Sequence, residues 1–458
     1  MSEKNENRMG TEPIISLLFK LSVPSIVSMA IQALYNVVDS IYIGNYDPKA
    51  LTGLSIAFPI QMILIAIAVG TGVGTSSLIS RELGSGNKRK ASNAAEHVML
   101  LSILYGIILA ILGALFARNI ISIFTSNEEI ISYGTRYIRI ILLGSAALFV
   151  PMISNNILRG EGNTFVPMIS MLIGSIINII LDPFIIFGIG PFPEWGIEGA
   201  AIATVFSRFL SGIFIVFMIF KADNEIKVNF KNFKFNFNII KDIYKVGFPA
   251  MVMQFLASFM ISGLNIIVGT YNETAIAALG IYFRLQSFVF MPVFGLNQGY
   301  MPIVGYNYGH NKPERMKKTI KYGFLVAFIF TTLGFVLFQV FPVQLINLFV
   351  SNSDNNEELI KIGTKALKTI SLAFPIIGPA IVGSTTFQAI GKGFPSLLLS
   401  FLRQIILLLP IAYLLGKIGN LNTIWYSFPI SELISSVILI FWLKKSLNEI
   451  FIDMEKIN

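Results

Sequence analysis

Two carboxylates sit where carboxylates are expensive. Asp39 lies in YNVVDSIYIG (residues 35–44) and Asp182 in NIILDPFIIF (178–187), each inside an otherwise apolar stretch. An ionisable group at membrane depth is costly and marks a functional site by default. Tyr35 precedes Asp39 by four residues and Asn178 precedes Asp182 by four, so on a helix each acid shares a face with a hydrogen-bonding side chain. Two carboxyls facing one another in a low-dielectric surrounding cannot both stay ionised at modest cost, and such a pair takes up and releases a proton. The same oxygens, with Asn and Thr completing the shell, could instead hold a monovalent cation. The competing reading is architectural: Asp182 stands before Pro183 and Asp39 five residues before Gly44, so both could cap helix ends near an interface.

The elements that must position these acids are membrane helices. The 458 residues are 54% hydrophobic and 13% charged, with mean hydropathy +0.72, a balance that excludes a soluble globular chain. Apolar runs long enough to cross about 30 Å of hydrocarbon recur near residues 14–44, 51–80, 93–118, 129–158, 163–188, 197–220, 239–269, 276–305, 316–342, 357–388, 394–416 and 421–444, which predicts twelve spans. The polar start MSEKNENRMGTEP lacks the layout of a cleavable signal, so insertion is expected to begin with the first helix. Basic residues occupy every second connection: Arg81, Lys88, Arg89 and Lys90, then Arg159, then Lys221 to Lys245, then Lys312 to Lys318, then Lys392, then Lys444 and Lys445. The other connections hold mainly acids, among them Asp47, Glu128, Glu194, Glu273 and Asp354. The positive-inside rule then places both termini of this multi-pass protein in the cytoplasm. The net charge of +9 is therefore a topology signal: the basic residues fall between spans, which does not point to nucleic acid. The chain has no cysteine and two histidines, His97 and His310, each beside a loop, which argues against a metal centre and against an enzyme.

The chain also repeats itself. A shift of 225 brings Pro24 onto Pro249, Gly44 onto Gly269, Phe58 onto Phe283, Gln61 onto Gln286 and Gly84 onto Gly309; FTSN (124–127) meets FVSN (349–352), and after a short insertion a shift of 229 brings Gly162 onto Gly391. An even number of helices per copy keeps both copies in one orientation. The expected fold is all-α integral membrane, with twelve transmembrane helices in two six-helix lobes related by a pseudo-twofold axis along the membrane normal. The expected organisation is a polar N-terminal tail (1–13), an N-lobe (14–220), a cytoplasmic linker (221–238), a C-lobe (239–445) and a C-terminal tail (446–458). The linker, KADNEIKVNFKNFKFNFN, interleaves Lys with Phe and is expected to lie along the membrane interface, lysines toward anionic lipid. Pro24 and Pro249 each remove a helix hydrogen bond and predict a kink in the first helix of each lobe, and Pro24 is the candidate moving kink because its helix carries Asp39.

Arg208, Arg284, Arg403 and Glu432 also fall within or at the ends of spans, where long side chains can reach the interface. A pairing of Glu432 with an arginine of the second lobe is one expectation. VGTGVG (69–74) lacks the lysine and strand context of a phosphate loop and reads as close helix packing.

Together, Pro24 with YNVVDSIYIG, LGSGNKRKA, ILRGEGNT, NIILDP and their second-copy counterparts resemble the multidrug and toxic compound extrusion (MATE) family, most closely its DinF-like and MepA-like transporters. The resemblance covers nearly the whole chain. It implies export of cationic amphipathic compounds by antiport with H⁺ or Na⁺, with no other cofactor. It also implies a coupling network at Tyr35, Asp39, Asn155, Asn178, Asp182 and Thr204, with Asn156 interchangeable with Asn155. NorM-like members carry acids in helices seven and ten; the matching stretches here, MVMQFLASFM and LAFPIIGPAIVGSTTFQ, have none, which favours coupling through the first lobe. Gln61 and Gln286, with Phe58, Phe283 and Met291, could line a central cavity for organic cations. The chain is expected to act as a monomer among membrane lipids. The alternative, a lipid-linked oligosaccharide flippase of the same superfamily, would call for several basic residues in the cavity.

Overall fold

A computed structural model describes residues 7–221, 224–349 and 357–457. The first six residues of the polar tail, positions 222–223 of the linker, and Asp354 with positions 350–352 of the FVSN match lie outside the described residues. In hydrocarbon, every backbone N–H and C=O must find its partner within its own segment or a closed barrel, and runs of Leu, Ile, Phe and Val this long satisfy that as helices. The first half forms α1 (Ile14–Tyr46), α2 (Pro48–Gly84), α3 (Lys88–Ser122), α4 (Glu128–Leu143), α5 (Ala146–Gly160), α6 (Phe165–Ile186) and α7 (Gly196–Lys221). The second forms α8 (Phe237–Gly269), α9 (Glu273–Gly309), α10 (Pro313–Val340), α11 (Glu357–Ile370), α12 (Phe374–Ala389), α13 (Gly393–Phe401), α14 (Leu409–Ile418) and α15 (Ser427–Ile457). Asparagines start several of them: the side chains of Asn87, Asn127 and Asn272 accept first-turn N–H groups.

Among the described residues eleven helical segments are long and apolar enough to cross a membrane, and α4 with α5 makes a twelfth span bent by 50°. The run 129–158, expected as one span, is therefore broken at Gly144 and Ser145. The tenth span is interrupted too, by a 3-10 turn at Ser371–Ala373. The eleventh widens into a π-helical stretch at Leu402–Leu408 that carries Arg403. Neither the bend at Gly144 and Ser145 nor the 3-10 turn introduces a charge, and the π stretch carries one only at Arg403, so periodicity and hydropathy do not show them. Gly162 and Gly391, matched across the repeat, both follow helix ends with φ of 89° and 81°, a left-handed conformation that glycine adopts without strain.

Two compact units result. One comprises Val23–Phe248; the other comprises Met1–Ser22 with Pro249–Asn458. The changeovers fall inside continuous helices, next to Pro24 in α1 and at Pro249 in α8, rather than in the linker. In the first unit α6 packs on α7, α2 on α5 and α3 on α4. The VGTGVG stretch is the close approach between α2 and the start of α8: a Cβ added at Gly247 would stand 2.7 Å from the Gly70 carbonyl oxygen. The second unit is built on a core of Leu264, Tyr282, Phe290, Phe338, Phe374 and Trp425.

Both expected tails hold structure. Arg8–Thr11 forms a helical turn whose Met9 is fully buried, and Asn307 Nδ2 donates to Met9 O at 3.1 Å. The last helix does not end near 445 but continues to Ile457, because Ile450 and Met454 keep its apolar face buried.

Candidate functional site

Asp39 stands on α1, seven residues before the helix ends at Tyr46, and Asp182 stands on α6 directly before the internal Pro183. Separated by 143 positions in the chain, the two carboxyls come within hydrogen-bonding reach of each other inside the first unit. Asp182 is completely buried and Asp39 partly so. Asn178 Nδ2 donates to Asp182 Oδ1 at 3.1 Å, across the one-turn spacing. Each acid keeps one buried oxygen with no donor, Asp39 Oδ1 and Asp182 Oδ2. Two adjacent carboxyls with two such oxygens form a socket for one proton, which lets one acid donate to the other.

Tyr35 reaches a partner on a third helix. Its hydroxyl accepts from Arg208 Nη2 on α7 at 3.1 Å, and the same guanidinium is close enough to Asp39 and Tyr137 to act on both electrostatically. Gln61 Nε2 on α2 donates to the Tyr137 hydroxyl at 3.2 Å, closing a chain of polar groups from Gln61 through Tyr137, Arg208 and Tyr35 to Asp39. With both acids ionised and Arg208 charged, this group carries a net charge of −1; one proton or one monovalent cation brings it to zero.

The remaining residues are placed as follows. Asn155, on α5, is buried with its Oδ1 unpartnered, whereas Asn156 bonds back to Met152 O at 2.8 Å and packs on Gly72. The neighbours thus separate into one free acceptor and one packing residue. Thr204 is buried on α7, one turn before Arg208. Neither Asn155 nor Thr204 bonds directly to the carboxyls. Among the described residues no group of three His, Asp or Glu converges, so the oxygens available to a cation are those of the two acids and the nearby amides. Pro24 lies inside α1, and Ser28 Oγ donates to its carbonyl at 2.8 Å.

Of the proposed cavity residues, Phe58 is exposed and Gln61 half-buried in the first unit. Phe283, Gln286 and Met291 are half-buried in the second, Phe283 with its ring 5.2 Å from that of Tyr282. In that unit Arg403 Nη1 pairs with Glu432 Oε1 at 3.1 Å, as the sequence suggested for an arginine and Glu432.

Arg208 and Tyr137 were missed as members of the site. A lone arginine in an apolar span reads equally well as reaching the interface. The usable signal was its spacing of four from Thr204, which sets it on the same helix face.

Comparison with known proteins gives the following. The family model MatE matches residues 24–184 and 249–414. An FAD transporter of Shewanella oneidensis is 28% identical over 441 residues, 95% of each chain. Multidrug export protein MepA of Staphylococcus haemolyticus is 26% identical, covering 96% of this chain and 95% of its own. A probable multidrug resistance protein NorM of Thermotoga maritima is 28% identical over 88% and 86%. Among solved structures, a MOP superfamily transporter from Pyrococcus furiosus matches with a TM-score of 0.91 at 26% identity, over 98% of this chain and 99% of the other. A multidrug resistance MATE transporter in an outward-facing conformation matches equally closely, with a TM-score of 0.91.

Proposed function

Because this chain belongs to the MatE family of multi-pass membrane transporters, we propose that it is a multidrug efflux antiporter that expels cationic amphipathic compounds in exchange for H⁺ or Na⁺. The exchange runs through the Asp39 and Asp182 pair. The observation that carries the reading is the pair itself: two adjoining carboxyls, Asp182 fully and Asp39 partly buried, each with a buried oxygen lacking a donor, on two different helices.

The cycle follows from charge. An ion entering from outside neutralises the acids and removes the negative charge that favours a cationic substrate, so the substrate leaves. Loss of the ion toward the cytoplasm restores that charge. Only differential binding to two states can shift the balance between them, and α1 supplies the coupling element, since it carries Asp39 and, fifteen residues earlier, Pro24. Arg208 holds Tyr35 and faces Asp39, so it fixes the number of ions the pair needs at one. Asn155, Asn178 and Thr204 supply further oxygens around the acids. Gln61, Gln286, Phe58, Phe283 and Met291 are the proposed substrate contacts. The protein works as a monomer in the plasma membrane with both termini cytoplasmic.

The test is efflux of a fluorescent organic cation from proteoliposomes under an imposed pH gradient or an imposed Na⁺ gradient. The reading expects one of them to drive transport; if neither does, it is wrong.

One observation favours a broader substrate range. Arg284 is exposed on α9, about 16 Å of helix from its amino end, with no partner among the described residues. A lone guanidinium at that depth suits a carboxylate or phosphate, and one relative is an FAD transporter. Competition of FAD with the fluorescent cation, lost in Arg284→Gln, is the expected result; no competition by FAD rejects this extension.

A further inference from the structure

The segment joining the two halves is held in place by its backbone, which frees its side chains for another task. Four of its N–H groups donate to side chains of the first unit. Ile226 donates to Glu161 Oε2 at 3.3 Å, Lys227 to Ser92 Oγ at 3.0 Å, Asn229 to Glu96 Oε1 at 2.8 Å and Asn236 to His97 Nε2 at 2.8 Å. His97 Nδ1 donates to the Asn93 carbonyl at 2.7 Å, which orients the ring with Nε2 toward the Asn236 N–H. The rings of Phe233 and Phe235 lie 4.8 Å and 5.7 Å from that of His97. A segment tied at four points presents a fixed face.

That face continues the membrane surface of α7. Phe206, Phe209, Ile213, Phe217 and Phe220 are all exposed along one side of α7, the row expected to meet acyl chains. At the end of the row the Phe220 ring lies 6.4 Å from Phe230 of the joining segment, which is itself exposed. The apolar surface therefore runs off the helix onto the tied segment, at the level where hydrocarbon gives way to headgroups. Lys221 Nζ stands 4.9 Å above the Phe217 ring, directed along this same row. Lys231 and Lys234, one and four positions after Phe230 in the chain, are exposed and make no ion pair among the described residues. The neighbouring acids are already engaged: Glu225 pairs with Lys88 at 2.9 Å, and Asp242 with Lys90 at 3.2 Å. Exposed lysines without ion-pair partners, on a short segment that continues an apolar strip past the end of a membrane helix, are complementary to a phosphodiester with its acyl chains attached.

We propose that Phe220, Phe230, Lys221, Lys231 and Lys234 form a binding site for the headgroup of an anionic phospholipid. The lipid lies in the leaflet beside the joining segment, the cytoplasmic leaflet if the basic connections face inward. Its phosphate meets the lysines and its glycerol and upper acyl chain meet the two phenylalanines. The site lies apart from the carboxyl pair and does not depend on the transported substrate.

The experiment measures lipid retention on the full-length purified protein by native mass spectrometry, with phosphatidylglycerol and phosphatidylcholine of identical acyl chains. Wild type should retain phosphatidylglycerol in preference. Lys221→Gln/Lys231→Gln/Lys234→Gln should lose about five-fold in phosphatidylglycerol affinity for each lysine removed, at about 1 kcal/mol per basic residue, with phosphatidylcholine binding unchanged. Lys→Arg at the same three positions should keep the preference. Phe230→Ala should weaken binding of the lipid without making inorganic phosphate a competitor. Lys444→Gln/Lys445→Gln, on exposed lysines of α15, is the control for bulk charge. Equal retention of both lipids by wild type overturns the proposal, and so does an equal loss in the Lys444/Lys445 control. Thermal unfolding in phosphatidylcholine verifies that each variant is folded.

Discussion

Replacing Asp182 by Asn separates stability from transport more sharply than any other single change. In the native site Asp182 Oδ1 accepts from Asn178, and Asp182 Oδ2 and Asp39 Oδ1 are buried without a donor. A buried polar atom left unsatisfied costs about 1–3 kcal/mol. Asparagine has the same shape and creates no cavity. Its oxygen can keep the bond from Asn178 while its Nδ2 donates to Asp39, and one of two like charges disappears. Asp182→Asn should therefore unfold later than wild type by about 1–3 kcal/mol, seen as a rise of a few degrees in thermal unfolding followed by tryptophan fluorescence. The same variant cannot pass a proton between two carboxyls, so gradient-driven efflux in proteoliposomes should fall at least about 100-fold. On the proposed mechanism the two acids act as a unit, so Asp39→Asn should lose as much, and the double variant no more than either single one. An Asp182→Asn protein that still pumps at half the wild-type rate, or that unfolds more easily by more than about 1 kcal/mol, refutes the reasoning.

Arg208→Gln should impair efflux strongly in wild type but weakly in an Asp39→Asn background. The double-mutant cycle for thermal unfolding should give a coupling of about 1–3 kcal/mol, and strict additivity would remove Arg208 from the site. Gly247→Ala drives a methyl group to 2.7 Å from the Gly70 carbonyl oxygen, a backbone atom that cannot swing aside; destabilisation of about 1–3 kcal/mol is expected, and wild-type unfolding would contradict the close approach of α2 and α8. Burial pushes the Glu161 carboxyl up to about 7 from an ordinary 4.5, with Glu225 raising it further and the Ile226 N–H and Lys227 opposing the rise. The folded state thus binds the proton more tightly than the unfolded chain, so stability is greatest below pH 4.5 and falls as pH rises toward 7. Glu161→Gln lacks that decline: its advantage over wild type should grow by about 3 kcal/mol across this interval and then stay constant, measured by thermal unfolding between pH 4.5 and 8. A pH-independent difference would show that Glu161 does not titrate there.

The spans and the two acids were legible because a bilayer imposes simple rules: about 20 apolar residues per crossing, and a heavy cost for a carboxylate inside one. What stayed hidden depends on packing. The bend at Gly144 lies in an unbroken apolar run, and nothing in AALFVPMIS announces that it begins a second helix. Arg208 looked like a residue reaching the interface, because its bond to Tyr35 joins positions 173 apart. His97 read as a loop neighbour, yet with Glu96 and Glu161 it accepts from the backbone of a segment more than 60 residues further on. The adjacency of Asp39 and Asp182 was expected from the chemistry of paired acids and from the family resemblance; no spacing in the chain encodes it, and the fold supplies it by bringing α1 against α6.

Ion release on substrate binding examines the central claim most directly. An organic cation is added to the purified protein, and the ions set free are counted, protons in a weakly buffered solution and sodium with a radioactive tracer. The account predicts about one monovalent cation released per chain in wild type and none in Asp39→Asn or Asp182→Asn. Substrate binding with no ion released, or with the same release from Asp39→Asn, would contradict it.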